Sequence, residues 1–186
     1  NNGVLDTYED WRLSADERAH DLAKQMSVEQ IAGLMLYSGH QSIPARGRGF
    51  GGPTTYQGKT FGESGVGPEA LSDQQIKFLT EDHLRHVLIT SVESPAIAAM
   101  WNNNAQALVE GIGLGIPVNT SSDPRHGSDS YAEYNAGAGG KISMWPGSLG
   151  IAASFDPALM KLFGEVASKE YRALGIATAL SPQIDL

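Results

Sequence analysis

Cysteine is absent from the 186 residues, which removes a disulfide scaffold, a thiol nucleophile and thiolate-held zinc together. No run approaches the roughly 18 apolar residues that cross a bilayer, which predicts a water-soluble protein with no membrane partner. Basic residues are scarce: 13 Lys and Arg face 21 Asp and Glu, for a formal charge of −8 and a pI near 5.0. Without a basic stripe to meet a phosphate backbone, nucleic acid is not an expected partner. The first ten residues are polar and place no cationic segment before an apolar core, so they do not read as a secretory leader.

What is abundant is glycine, 22 residues of the chain, well above the about 7 % of ordinary usage. Eight of these glycines punctuate a polar run between Arg46 and Gly67. Their spacing matches no phosphate-binding or dinucleotide loop, so an irregular surface loop is expected there. Before it, Ser14 with Glu17 and Ser27 with Gln30 have the spacing of capping boxes. Ala19, Leu22, Ala23 and Met26 form one apolar face, and Val28, Ile31, Ala32 and Met35 a second. An N-terminal helical hairpin is expected, with both faces covering something downstream.

After the loop the pattern becomes regular. A helix from Ser72 to about His83 leads into the β-branched run His86–Ser91, and Ser94-Pro95 opens a helix that ends near Gly111. Ile116–Ser122 reads as a second strand, and a polar, glycine-rich loop follows it to Gly140. Asp156-Pro157 caps a helix running to Gly175, with Leu159, Leu162, Phe163, Val166 and Leu174 inward. Ile176–Ser181 is the third strand. Alternating strands and helices with short turns imply parallel strands and right-handed crossovers. The fold class is therefore α/β, either an open doubly wound sheet or the first part of a (β/α)8 barrel. In both, ligands meet the carboxyl ends of the strands, which points to Ser121-Ser122-Asp123 and Gln183-Ile184-Asp185.

Asp123 offers an acceptor for two neighbouring hydroxyls, the geometry of a sugar diol, and Arg125 and His126 can brace it or touch the ligand. Asp123-Pro124 equally suits a plain turn. Asp123, His126 and Asp129, with Glu133 beyond, also suggest a divalent metal, although loop spacing fixes no geometry and the expected metal and cofactor complement is none. There is no Gly-x-Ser-x-Gly elbow for a serine nucleophile. Asp185 is the second carboxylate expected on the same face, but neighbouring strands do not set the roughly 5–5.5 Å separation of a retaining carboxylate pair, so the two are not paired as catalysts.

Three stretches together resemble the amino-terminal domain of family 3 glycoside hydrolases, the β-glucosidase and exo-β-glucanase family. They are Asp10–Ser14 with Met26–Ile31, Leu114–Val118 with Ser122–Gly127, and Trp145–Pro157 running through Glu170–Gly175 to Leu180–Pro182. The resemblance implies a (β/α)8-type barrel in which Asp123 grips hydroxyls of the terminal non-reducing sugar. The expected domains are residues 1–70, the helical hairpin and Gly-rich loop, and 71–186, the first three β/α units. It further implies part of a retaining exo-acting β-glucosidase that takes β-linked glucosides or short β-glucans, in the periplasm or secreted. The nucleophile and the acid/base would come from the remainder of the enzyme, namely the rest of the barrel and an α/β-sandwich domain. Three strands do not close a barrel that needs about 250 residues, and the last would keep an unpaired edge. A non-catalytic carbohydrate-binding or interaction domain is the alternative.

Overall fold

The computed structural model describes residues 3–46, 48–49, 52–123, 126–127 and 141–181. After a 3-10 turn at Thr7–Glu9, the chain forms α1 (Ala15–Gln25), α2 (Val28–Met35) and a first strand β1 (Gln41–Ile43). A two-stranded antiparallel pair, β2 (Arg48–Gly49) and β3 (Gly52–Pro53), leads to α3 (Phe61–Ser64) and α4 (Asp73–Thr80). Then come β4 (His86–Val92), α5 (Pro95–Glu110), β5 (Asn119–Ser122), α6 (Ser148–Ala152), α7 (Pro157–Leu174) and β6 (Thr178–Ala179).

The main sheet has the order β1-β4-β5-β6 with every described pairing parallel. Its strands follow chain order without the reversal that marks a doubly wound sheet. One strand of this sheet was not expected. β1 carries a single apolar residue in Gln41-Ser42-Ile43 and so shows no alternation, yet it pairs with β4 through Ser42 and Ser91 and through Ile43 and Val92. The other strands fall where the apolar runs predict them, with shifted ends. β5 starts only at Asn119 because the Gln106 amide bonds both backbone groups of Val118, at 2.8 and 3.0 Å, in place of a neighbouring strand.

Side chains alternate across β4. Val87 and Ile89 enter the core with Leu79 of α4, Ala98, Trp101, Ala105 and Val109 of α5, and Tyr171 and Leu174 of α7. Trp101 is fully buried and its indole N–H donates to Gln75 Oε1 at 3.1 Å. Truncating such an indole to alanine costs about 3–5 kcal/mol. The opposite face of the sheet is polar: Thr178 donates to Asn119 Oδ1 at 2.7 Å, Asn119 Nδ2 lies 3.2 Å from His86 Nδ1, and the Tyr37 and Ser121 hydroxyls are hydrogen-bonded.

The helix caps match the sequence pattern, since Ser14, Ser27, Ser72, Ser94 and Asp156 each accept from a first-turn N–H. The apolar face of α2 does not behave as expected. Val28, Ile31 and Met35 are 77 %, 42 % and 82 % exposed. Gly33 is the buried residue of this helix, and a Cβ there would fall 2.5 Å from the His83 carbonyl oxygen. The helix backbone therefore rests directly on the end of the α4 connection and turns its larger residues outward. The inward stripe of α7 is likewise shifted: Ala167, Tyr171 and Leu174 are buried, whereas Leu162 is 49 % exposed.

Arg85 ties these layers together. Its guanidinium donates to the carbonyls of Leu79 (2.7 Å), Leu84 (2.8 Å) and Ile116 (2.8 Å), and its own carbonyl accepts from Asn119 N. Burial pulls its pKa down from the ordinary arginine value. Replacing Arg85 by Ala strands three carbonyls at the α4–β4–β5 junction, and stability should fall by about 2–4 kcal/mol. Chemical denaturation of the variant checks this.

Candidate functional site

The carboxyl ends of the parallel strands carry the candidate residues. Asp123 follows β5 directly and is half-buried, and its backbone carbonyl accepts a hydrogen bond from the Tyr171 hydroxyl of α7. Directly after Pro124-Arg125 in sequence, His126 has a positive φ of 49°. Few non-glycine residues adopt that conformation, and those that do are held by their surroundings.

The surroundings of His126 are specific. Its ring is completely buried, tilted 30° against Tyr171 at 5.1 Å between centroids, and edge-on to Phe163 at 5.8 Å. Nε2 lies 2.9 Å from Glu170 Oε2. The contact is an ion pair when the imidazole is protonated. The other acceptor positions of Glu170 are filled by the backbone N–H and hydroxyl of Ser143, both at 2.8 Å. The Ser143 hydroxyl in turn accepts from the Trp145 indole at 2.9 Å, and Trp145 N donates to the His126 carbonyl at 2.7 Å. The circuit closes on itself through His126, Glu170, Ser143 and Trp145.

The ends of β1 and β4 are joined differently. Arg46 donates to Glu93 at 2.6 Å and its guanidinium lies 4.9 Å from the centre of the Phe61 ring. Phe61 meets Tyr56 edge-on, and the Tyr56 hydroxyl donates to the Ala45 carbonyl at 3.0 Å. The segment expected to be an irregular loop is therefore partly organised and packed beside β1. Asp73 fastens it by accepting from the Thr55 hydroxyl (2.7 Å), Gln57 N (2.8 Å) and Gly58 N (2.8 Å).

Residues 49–186 match the N-terminal domain of glycosyl hydrolase family 3. The chain belongs to that family. It is 38 % identical over its whole length to a periplasmic beta-glucosidase/beta-xylosidase of Dickeya chrysanthemi. It is 36 % identical, again over its whole length, to a probable beta-glucosidase C of Aspergillus oryzae, and 32 % identical over 98 % of its length to beta-glucosidase C of Emericella nidulans. In each case it spans 26 % of the relative.

Of the predicted site residues, the structure brings Asp123 and His126 to the end of β5. Arg125 and Asp185 lie outside the described residues, as do Asp129 and Glu133 of the metal alternative. Among the described residues no group of three His, Asp or Glu could hold a metal ion. Glu170, Ser143 and Tyr171 were not singled out from sequence. The available signal was a carboxylate at position 170, on the same face of α7 as Phe163, Ala167 and Leu174, where an apolar residue is the rule. Cavity size does not mark the site either. A cavity of about 520 Å³ lined by Tyr8, Arg18, Glu110 and Leu114 lies at the opposite, amino-terminal end of β5.

The carboxyl of Asp73 is held below its ordinary value, by the Thr55 hydroxyl first and then by the Gly58 and Gln57 amides. A depressed folded-state pKa means that the anchorage is complete above the ordinary carboxylate range and is lost as pH falls through the depressed value. Asp73→Ala should make residues 54–60 sensitive to limited proteolysis at neutral pH. The wild-type protein should show the same opening only in acid.

Proposed function

We propose that this chain is the sugar-gripping part of a retaining, exo-acting β-glucosidase, and that Asp123 binds hydroxyls of the terminal non-reducing β-D-glucosyl residue. The single observation that carries this is the position of Asp123, directly beyond β5 in a segment that matches family 3. Ligands of parallel α/β folds meet the chain at such strand ends. A carboxylate there can accept from both hydroxyls of a diol, and binding energy gained away from the broken bond is available for distorting the ring. Arg125 and Asp185 are proposed as further sugar contacts, with His126 bracing the loop.

The four parallel strands in chain order support a (β/α)8 barrel completed by the rest of the enzyme. Two further observations favour continuation beyond β6. A cavity of about 500 Å³ runs along Met160, Phe163, Tyr171 and Ile176–Ala179, where a following β/α unit would pack. Leu149 and Phe155 nearby are 84 % and 92 % exposed. The nucleophile and the acid/base are assigned to that remainder, and the two-step reaction would pass through a covalent glycosyl-enzyme that water hydrolyses. The names of the relatives support β-linked glucosides as substrates, and a periplasmic or secreted location is proposed on the Dickeya protein.

Asp123→Ala in the complete enzyme should lower kcat/KM on aryl β-glucosides and β-linked disaccharides by about a hundredfold or more, as expected for losing two charge-assisted hydrogen bonds, with little change in Tm. Kinetics close to wild type would refute the assignment.

A further inference from the structure

We propose that Glu170 is a positioning residue for sugar binding: through His126, Ser143 and Trp145 it holds the loop after β5 so that Asp123 faces the sugar. The inference rests on the assignment of Asp123 as a sugar ligand.

Glu170 sits on the inner stripe of α7, between Ala167 and Tyr171, which are buried in the interior. A carboxylate in that place needs partners for its oxygens, and the partners it has all belong to the polypeptide entering or leaving the β5 loop. His126 lies on the outgoing side, three residues after Asp123. Ser143 and Trp145 lie on the returning side. Gly127 and Trp145 form a parallel bridge, so both sides are drawn together at the point where Glu170 binds them. The neighbouring Tyr171 hydroxyl grips the Asp123 carbonyl itself. One turn of α7 thus holds the Asp123 backbone from one residue and the imidazole that ends its turn from the next. The imidazole packs against Phe163 and Tyr171 of α7, so its part is to fix the loop and not to touch the sugar.

The chemistry distinguishes Glu170 from an ordinary packing residue. A carboxylate can lie against the His126 imidazole at 2.9 Å and accept from a backbone N–H and a hydroxyl at once. Alanine offers none of these, while glutamine keeps one oxygen acceptor and the side-chain length. Loss of the anchor should appear in the binding of the sugar that Asp123 holds, beyond any change in the amount of folded protein.

The test is a double-mutant cycle in the complete enzyme, with active sites counted by a mechanism-based covalent glycosidase inhibitor. Glu170→Ala should lower kcat/KM per active site about tenfold or more, Glu170→Gln threefold or less, and Glu170→Ala in the Asp123→Ala background should add almost nothing further. Ser143→Ala, which removes one strut and leaves the helix intact, should give a smaller loss with the same non-additivity. It carries the comparison if Glu170→Ala fails to fold. Wild-type kinetics per active site in Glu170→Ala, or in Ser143→Ala where that variant carries the comparison, would overturn the inference and leave Asp123 as a ligand. Losses that simply add to those of Asp123→Ala would do the same. Wild-type kinetics of Asp123→Ala alone would overturn both.

Discussion

The register between β4 and β5 is the constraint on which the rest of the structure depends, and one buried cation sets it. Arg85 opens β4, receives the amide of Asn119 on its carbonyl, and reaches with its guanidinium to the end of α4 and to the approach into β5. With the pair locked at His86 and Asn119, the alternation of side chains is decided along both strands. A slip of one residue would send Val87 and Ile89 to the polar face and take Trp101 out of contact with the sheet. The same slip made by β5 instead would turn Asp123 at its far end toward the helices. The amino-terminal ends of the strands thus do the aligning.

The carboxyl ends are stabilised by groups that the aligned sheet could not supply. Parallel strands end in loops whose backbone groups need partners. After β5 those partners come from α7, through Tyr171 and Glu170. After β1 they come from the Gly-rich segment, where Tyr56 caps the Ala45 carbonyl and Asp73 collects the amides of residues 57 and 58. Both are polar solutions at the rim of an apolar core. Both lie beside the strand-end side chains Arg46, Glu93 and Asp123.

The uncovered surfaces are concentrated on α2 and along α6, α7 and β6. Exposed apolar residues scattered singly are ordinary, but these lie on successive turns of helices whose other faces are packed. The chain itself spans about a quarter of the length of its relatives. The polar face formed by Tyr37, His86, Asn119, Ser121 and Thr178 is hydrogen-bonded laterally.

Much of this was written locally. The capping boxes, Pro95 and Pro157 at the first helical position, Gly175 at the end of α7 and the β-branched run of β4 each determine their element through near neighbours, so the α/β alternation and the strand ends bearing Asp123 were legible from sequence alone. Family membership followed from short motifs for the same reason. What depended on distant partners was not legible. β1 is a strand only because β4 offers it hydrogen bonds, α2 faces the way it does because Gly33 meets the backbone of His83, and β5 begins late because Gln106 occupies Val118. The role of Glu170 required the fold outright, since nothing in a helix sequence says that a carboxylate on its inner face will find a histidine, a serine and an indole delivered by two sides of a loop.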